Sequence, residues 1–266
     1  MIEISDFGEV KQIKLAAELN GEPYYWVSSY LVDGLLIDTG SAKTLPEFSS
    51  FLRSEEIQIV VNTHSHEDHI GANRLIQEEF GLPIYASKLA IPKIQDPPKV
   101  AWYREQAWGS AQPSDPKPIP TVIETSKFRF EVIDTPGHSA DHISFAERNQ
   151  GWIFSGDLFI GNQMIAAGPE MNISDMLSSM RSLIEFMEDE FILFTALRTV
   201  RSNGRKTLLD FVARCEELRE KAREMAAQGL DVREIVNRIF GGENVFDAIT
   251  NGEFSSATLV RLLLQE

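Results

Sequence analysis

The chain has 266 residues, enough for one large or two small domains with a sizeable core, and a single cysteine, Cys215. One thiol excludes a disulfide framework and a thiolate zinc cage, so any bound metal must use nitrogen and oxygen ligands. With 25 Lys and Arg against 40 Asp and Glu, the net charge of −15 repels a phosphate backbone, and nucleic acid is not an expected partner.

The first ten residues are acidic and lack the basic-then-apolar pattern of an export signal. No apolar run approaches the roughly 18 residues that span a bilayer. A cytoplasmic protein with no membrane partner is expected. Residues 24–32 and 35–38 read as two strands around an Asp33-Gly34 turn, the signal for a hairpin. A helix is expected over 42–54, a buried strand over 58–62, a helix over 72–79 and a strand over 82–85. Residues 92–120 hold seven prolines around Trp102, Tyr103 and Trp108, which predicts a long irregular loop serving as a lid or pocket wall. Those aromatics could equally pack to hold the loop down. Strand patterns over 121–133, 142–146, 151–154 and 191–194, with a helix over 174–187, complete a layered α/β body. Beyond Asn203-Gly204, Leu208, Phe211, Cys215, Leu218, Ala222 and Met225 recur at three- and four-residue steps, the apolar face of a long helix over 207–228. Shorter helices follow over 231–240 and 255–264. On that face Cys215 reads as a small core hydrophobe. Two units are expected, residues 1–203 and a helical extension over 204–266, which could cap a site or form a homodimer contact.

Five histidines are present, and three of them fall within Asn62-Thr63-His64-Ser65-His66-Glu67-Asp68-His69-Ile70-Gly71, after a strand and before a helix. In extended backbone His64 and His66 point the same way, so both imidazoles can reach one ion. Asp68 and His69, past the bend, can address a second. In Asp134-Thr135-Pro136-Gly137-His138 a strand ends in a turn that could deliver a third imidazole, His138. In Phe154-Ser155-Gly156-Asp157 a strand exit carries a carboxylate placed to bridge two cations. Either of these last two, taken alone, is an ordinary turn or helix cap.

Together the motifs resemble the metallo-β-lactamase superfamily, whose signature is His-x-His-x-Asp-His, a later histidine and a bridging aspartate. The resemblance covers residues 1 to about 203, including Leu36-Ile37-Asp38-Thr39-Gly40, similar to the family's strand-end aspartate. It implies a four-layer αββα fold with an all-helical C-terminal tail. It also implies a first metal on His64, His66 and His138, a second on Asp68 and His69, and Asp157 between them. Asp38 would orient a ligand histidine. Similar tails occur in thioesterase-like and ribonuclease-like members. At the family's sixth-ligand position this chain has Leu197, which cannot bind a cation. His142 is either a substitute ligand or proton shuttle, or a supporting residue four places past His138.

The resemblance therefore implies a metal-dependent hydrolase that cleaves an ester, thioester or lactone of a small metabolite with a metal-bound hydroxide, Asp68 orienting that hydroxide or taking its proton. Zinc suits three imidazoles, as one ion or two, while iron and manganese accept the same donors. Leu197 predicts a weakened second site. Arg198 and Arg201 could clamp a substrate anion or simply balance an acidic surface. The alternatives are a non-catalytic metal- or ligand-binding descendant of the fold, and a nuclease.

Overall fold

The computed structural model describes residues 1–197 and 200–265. One sheet contains β1 (Ile2–Phe7), β2 (Val10–Leu19), β3 (Glu22–Val32), β4 (Leu35–Ile37), β5 (Ile59–Val61), β6 (Ile84–Ala86) and β7 (Lys117–Pro118) in that spatial order. Its first four strands pair antiparallel and its last four parallel. The second sheet runs β12 (Ile192–Phe194), β11 (Trp152–Phe154), β10 (Ile143–Glu147), β9 (Arg129–Asp134) and β8 (Val122–Glu124), antiparallel except for β11 with β12.

The period of two along each strand sorts its side chains into two cores. Tyr30, Ile37 and Val61 of the first sheet face inward and meet Phe130, Phe145, Phe154 and Phe194 of the second. The Tyr30 hydroxyl crosses the gap and donates to the Thr195 carbonyl at 2.6 Å. Leu31 and Leu36 face outward and meet Phe48, Phe51 and Leu52 of α1 (Leu45–Ser54). On the far side Ala146 and Ile153 meet Met176, Met180 and Leu183 of α5 (Ile173–Met187). The layers are thus helix, sheet, sheet, helix, the expected αββα arrangement.

Several expected elements differ in detail. The helix over 72–79 is one α-helical turn, α2 (Asn73–Leu75), that widens into a π-helical turn over Ile76–Phe80. The irregular loop over 92–120 instead contains α3 (Ile91–Gln95), α4 (Trp102–Ala107) and β7. Pro92 sits in the first turn of α3, where its missing N–H leaves no hydrogen bond unmade. The tail comprises α6 (Gly204–Ala227), α7 (Val232–Phe240) and α9 (Ser256–Leu264), plus an unanticipated α8 (Val245–Ile249). A capping box between Asp231 and Glu234 starts α7. Leu208, Phe211, Cys215 and Leu259 of the tail join the α5 side chains in one continuous cluster. Burial pushes the Cys215 thiol up to about 12, in keeping with a core position. No helix among the described residues is long and apolar enough to cross a membrane.

Candidate metal centre

The two sheets deliver their strand ends to one edge, and every candidate residue arrives there on a short turn. β4 exits into Asp38, β5 into Asn62 through His69, β9 into the turn bearing His138, and β11 into Ser155-Gly156-Asp157. The histidine loop is strapped to the β4 exit by Thr39 N–H to His69 O at 2.8 Å and Gly71 N–H to Gly40 O at 2.7 Å. At Gly156, φ is +47° and a Cβ would lie 2.7 Å from His142 Nε2, so glycine is required for β11 to hand over Asp157.

Three ring nitrogens converge. His66 Nδ1 lies 3.0 Å from His64 Nε2 and 3.0 Å from His138 Nε2. Beside them, His69 Nε2 faces Asp157 Oδ1 at 3.5 Å and Asp68 Oδ2 at 3.7 Å, while Asp157 Oδ2 lies 3.5 Å from His138 Nε2. Asp157 thus spans the two groups. His64, His66 and His138 form one set whose ligand atoms lie within 4.8 Å of one another, and His64, His69 and Asp157 form another.

The outer ring nitrogens of His64 and His69 are held by hydrogen bonds, whereas His138 Nδ1 is buried without a partner. Asp38 Oδ1 accepts from Thr63 N–H at 2.8 Å, and its Oδ2 accepts from Thr63 Oγ1 and His69 Nδ1, each at 2.8 Å. Because the Thr63 hydroxyl proton goes to Asp38, His64 Nδ1–H donates to Thr63 Oγ1 at 3.0 Å. Each ring thus spends Nδ1 on its support and turns Nε2 inward. Asp38 itself is left-handed at φ +61°, a conformation aspartate tolerates better than most residues. His142 serves the carboxylate rather than joining the cluster. Its Nε2 accepts from Asp157 N–H at 3.2 Å and its Nδ1 is bonded to Thr135 Oγ1 at 2.9 Å, so both nitrogens are used within the protein.

The electrostatics point the same way. Burial, reinforced by the neighbouring imidazoles, holds His64 well below the usual histidine range. Burial and His66 push His138 down to about 3, against the pull of Asp157. For His69, burial opposes the charge but Asp38, Asp68 and Asp157 outweigh it and hold the ring well above the usual range. These carboxylates favour positive charge between them, on the imidazole or on a bound cation. His69 Nε2 and Asp157 Oδ1 are buried without a hydrogen-bond partner, which a coordinated cation would satisfy.

A cavity of about 270 Å³ opens onto this cluster. His66, Asp68, His138 and Asp157 line its floor, and Tyr103 and Trp108 its wall, whereas Trp102 is 64% exposed and is not part of the lining. Leu197 also lines the cavity, and its side chain supplies no donor atom. Arg201 pairs through its backbone with Leu193, and Arg198 lies outside the described residues.

Residues 27–194 match the family described as the Metallo-beta-lactamase superfamily. This chain belongs to the metallo-β-lactamase superfamily. Among curated relatives it is 24% identical over 154 residues to hydroxyacylglutathione hydrolase GloC of Haemophilus influenzae, covering 52% of this chain and 66% of that one. It is 27% identical over 186 residues to a hydroxyacylglutathione hydrolase of Nitrosomonas eutropha, covering 68% of this chain and 63% of that one. The chain therefore spans just under two thirds of the length of these relatives. A β-lactamase domain protein from Burkholderia ambifaria superposes with a TM-score of 0.74 at 13% identity, over 98% of this chain and 87% of that one. TTHA1623, solved in a di-iron-bound form, superposes with a TM-score of 0.58 at 22% identity, over 72% of this chain and 96% of that one. These structural likenesses show the fold.

Around the superfamily cluster lie groups that sequence reading did not single out. Glu170 Oε2 stands 3.5 Å from His66 Nε2, where it favours the tautomer that leaves Nδ1 free. Bonding to His66 draws Glu170 down to about 2. Glu67, inside the histidine motif, accepts both forks of the Arg104 guanidinium at 2.6 and 2.8 Å and so ties α4 to the histidine loop. Asp141 Oδ2 accepts from Ser65 N–H at 2.9 Å and its Oδ1 from Lys93 Nζ at 2.9 Å, bracing the turn between His64 and His66. Glu67 stood within the motif as a signal. Glu170 and Arg104 are distant in sequence from every ligand and carried none.

Proposed function

We propose that the protein is a metal-dependent hydrolase that cleaves an ester, thioester or lactone of a small metabolite. The observation that carries this reading is the convergence of His64 Nε2, His66 Nδ1 and His138 Nε2 next to a cavity. These three would hold a first cation, and Asp68, His69 and Asp157 a second. Residues 1–203 are proposed as the catalytic unit and 204–266 as a helical extension. Zinc is the favoured ion on the strength of three imidazoles, with iron or manganese accepting the same donors. A divalent cation bound there supplies Lewis-acid polarisation of the scissile carbonyl and makes a water acidic near neutral pH.

The protein's own groups supply the rest. Asp68 lines the cavity and is placed to orient a water and receive its proton. Asp38 and His142 keep His69 and Asp157 in position, so little rearrangement accompanies the reaction. The relatives named hydroxyacylglutathione hydrolase favour a thioester among the candidate bonds. Leu197 leaves the second position with one imidazole and two carboxylates, so its cation should be held more weakly.

Metal analysis and a panel of thioesters, lactones and aryl esters, run beside His66→Ala, test this reading. Expected are one tightly held equivalent, a weaker second, and turnover abolished in the variant. Undiminished turnover in His66→Ala would put the activity outside this site, and no turnover anywhere on the panel would support a binding protein instead.

A further inference from the structure

Beyond its floor, the cavity is apolar and is assembled from distant parts of the chain. Ile160, Met164 and Met171 follow Asp157, Leu197 follows β12, and Ile249 and Phe254 come from the tail. The tail is stitched to the first of these segments. Ala167 and Ser255 exchange backbone hydrogen bonds at 3.2 and 3.3 Å, and Ser256 Oγ donates to Ile165 O at 2.7 Å. Gly168 lies so close to the Phe254 ring that a Cβ would come within 2.8 Å of it. This wall is continuous with the ligand cluster, so whatever sits against it is attached to the bond being cleaved.

The charged residues that line the cavity have one predominant sign. Asp68, Asp157, Glu170 and Glu253 line it, and Arg104, the one cation lining it among the described residues, is already engaged by both oxygens of Glu67. A bound cation would compensate Asp68 and Asp157 but leave Glu253 and, beside His66, Glu170. An anionic group in the cavity would have to lie near them.

We propose that the acyl half of the substrate is an apolar chain of about four to eight carbons, and that its alcohol or thiol half carries no net negative charge. The inference rests on the hydrolase reading only in taking this cavity as the place where the ester or thioester lies. The size follows from the volume: a cavity of about 270 Å³, part of it taken by the reacting carbonyl, suits a short chain. The charge follows from the carboxylates that line it. It also separates this chain from the glutathione thioesters named for its relatives, since glutathione carries a net negative charge.

Binding of non-hydrolysable thioethers to the metal-loaded full chain tests it, using S-alkyl-N-acetylcysteamines from ethyl to decyl and the matching S-alkylglutathiones. For the neutral series, affinity should rise about threefold to fourfold per methylene up to hexyl or octyl and then level or fall. Each glutathione conjugate should bind about fivefold to tenfold more weakly at low salt, and Glu170→Gln with Glu253→Gln should narrow that gap. Ile249→Trp should move the optimum to a shorter chain and Ile249→Ala to a longer one. Affinity indifferent to chain length, or tighter binding of the glutathione series, overturns the proposal. Hydrolysis of the matching thioesters separates the two readings. Chain-dependent binding without hydrolysis would sink the hydrolase reading and leave this one standing, and hydrolysis without chain dependence would do the reverse.

Discussion

The cavity has two walls built by opposite means. The polar wall is made by short turns at strand ends, and Asp38, Thr63, His142 and Asp141 lock its rings, carboxylates and backbone with buried hydrogen bonds of 2.8 to 3.2 Å. The apolar wall is made by the segment after Asp157 and by tail residues some eighty positions later, joined by two backbone hydrogen bonds and close packing. Directional bonds set the first within tenths of an ångström, as coordination requires. Burial and one pair of backbone hydrogen bonds set the second, with fewer directional demands.

Four perturbations should break or sharpen that division. The largest effect is expected for Phe211→Ala. This side chain is fully buried where α6 meets α5, with its ring 5.6 Å from Phe159. Its loss should cost about 3–5 kcal/mol, read by denaturant unfolding. A single cooperative transition would show that the tail and the α5 layer unfold together, whereas a separate early transition would show an independent tail.

Asp38→Asn comes next. The carboxylate accepts three hydrogen bonds, and an amide oxygen cannot replace both oxygens, so one donor must face an NH₂ group. Metal affinity should fall about 10- to 100-fold, measured by competition with a chelator. An unchanged affinity would mean that the polar wall does not depend on its supporting bonds.

Leu197→His should tighten the second equivalent of metal by about tenfold while leaving the first unaltered, because it adds an imidazole at the position where the family resemblance implies a sixth ligand. Isothermal titration on the chelator-stripped protein reads both steps. If both equivalents already bind alike in the native chain, Leu197 is not what distinguishes the two positions. The smallest effect is expected for Glu67→Gln. It weakens the bidentate tie between the histidine loop and α4, which carries Tyr103 and leads into Trp108. KM should rise about threefold to fivefold with kcat within twofold, since every proposed ligand and its supporting hydrogen bonds are kept.

How much of this was readable from the chain depends on how far apart the interacting groups are. His64, His66, Asp68 and His69 fall within a six-residue run, and the geometry of an extended segment followed by a turn already aims them together. His138 and Asp157 became legible because each follows a strand and a glycine, so both exit at one edge of a sheet. β1 and β2 escaped notice since β2 contains Ala16-Ala17-Glu18-Leu19, good helix formers, and only pairing with strands on both sides makes it a strand. The five residues of α8 are too few to show a helical period.

The amino-acid order by itself therefore determined the α/β layering, the family resemblance and which side chains could gather at a metal, because periodicity and strand-exit turns are local. It also put Leu197 where the resemblance implies a sixth ligand. Only the tertiary structure decided that His142 bonds to the Asp157 backbone, that Glu170 and Arg104 border the cluster, and that the helical extension lines the cavity. Those outcomes depend on packing between segments tens to hundreds of residues apart, and burial of apolar surface carries no record in sequence spacing of which surfaces will meet.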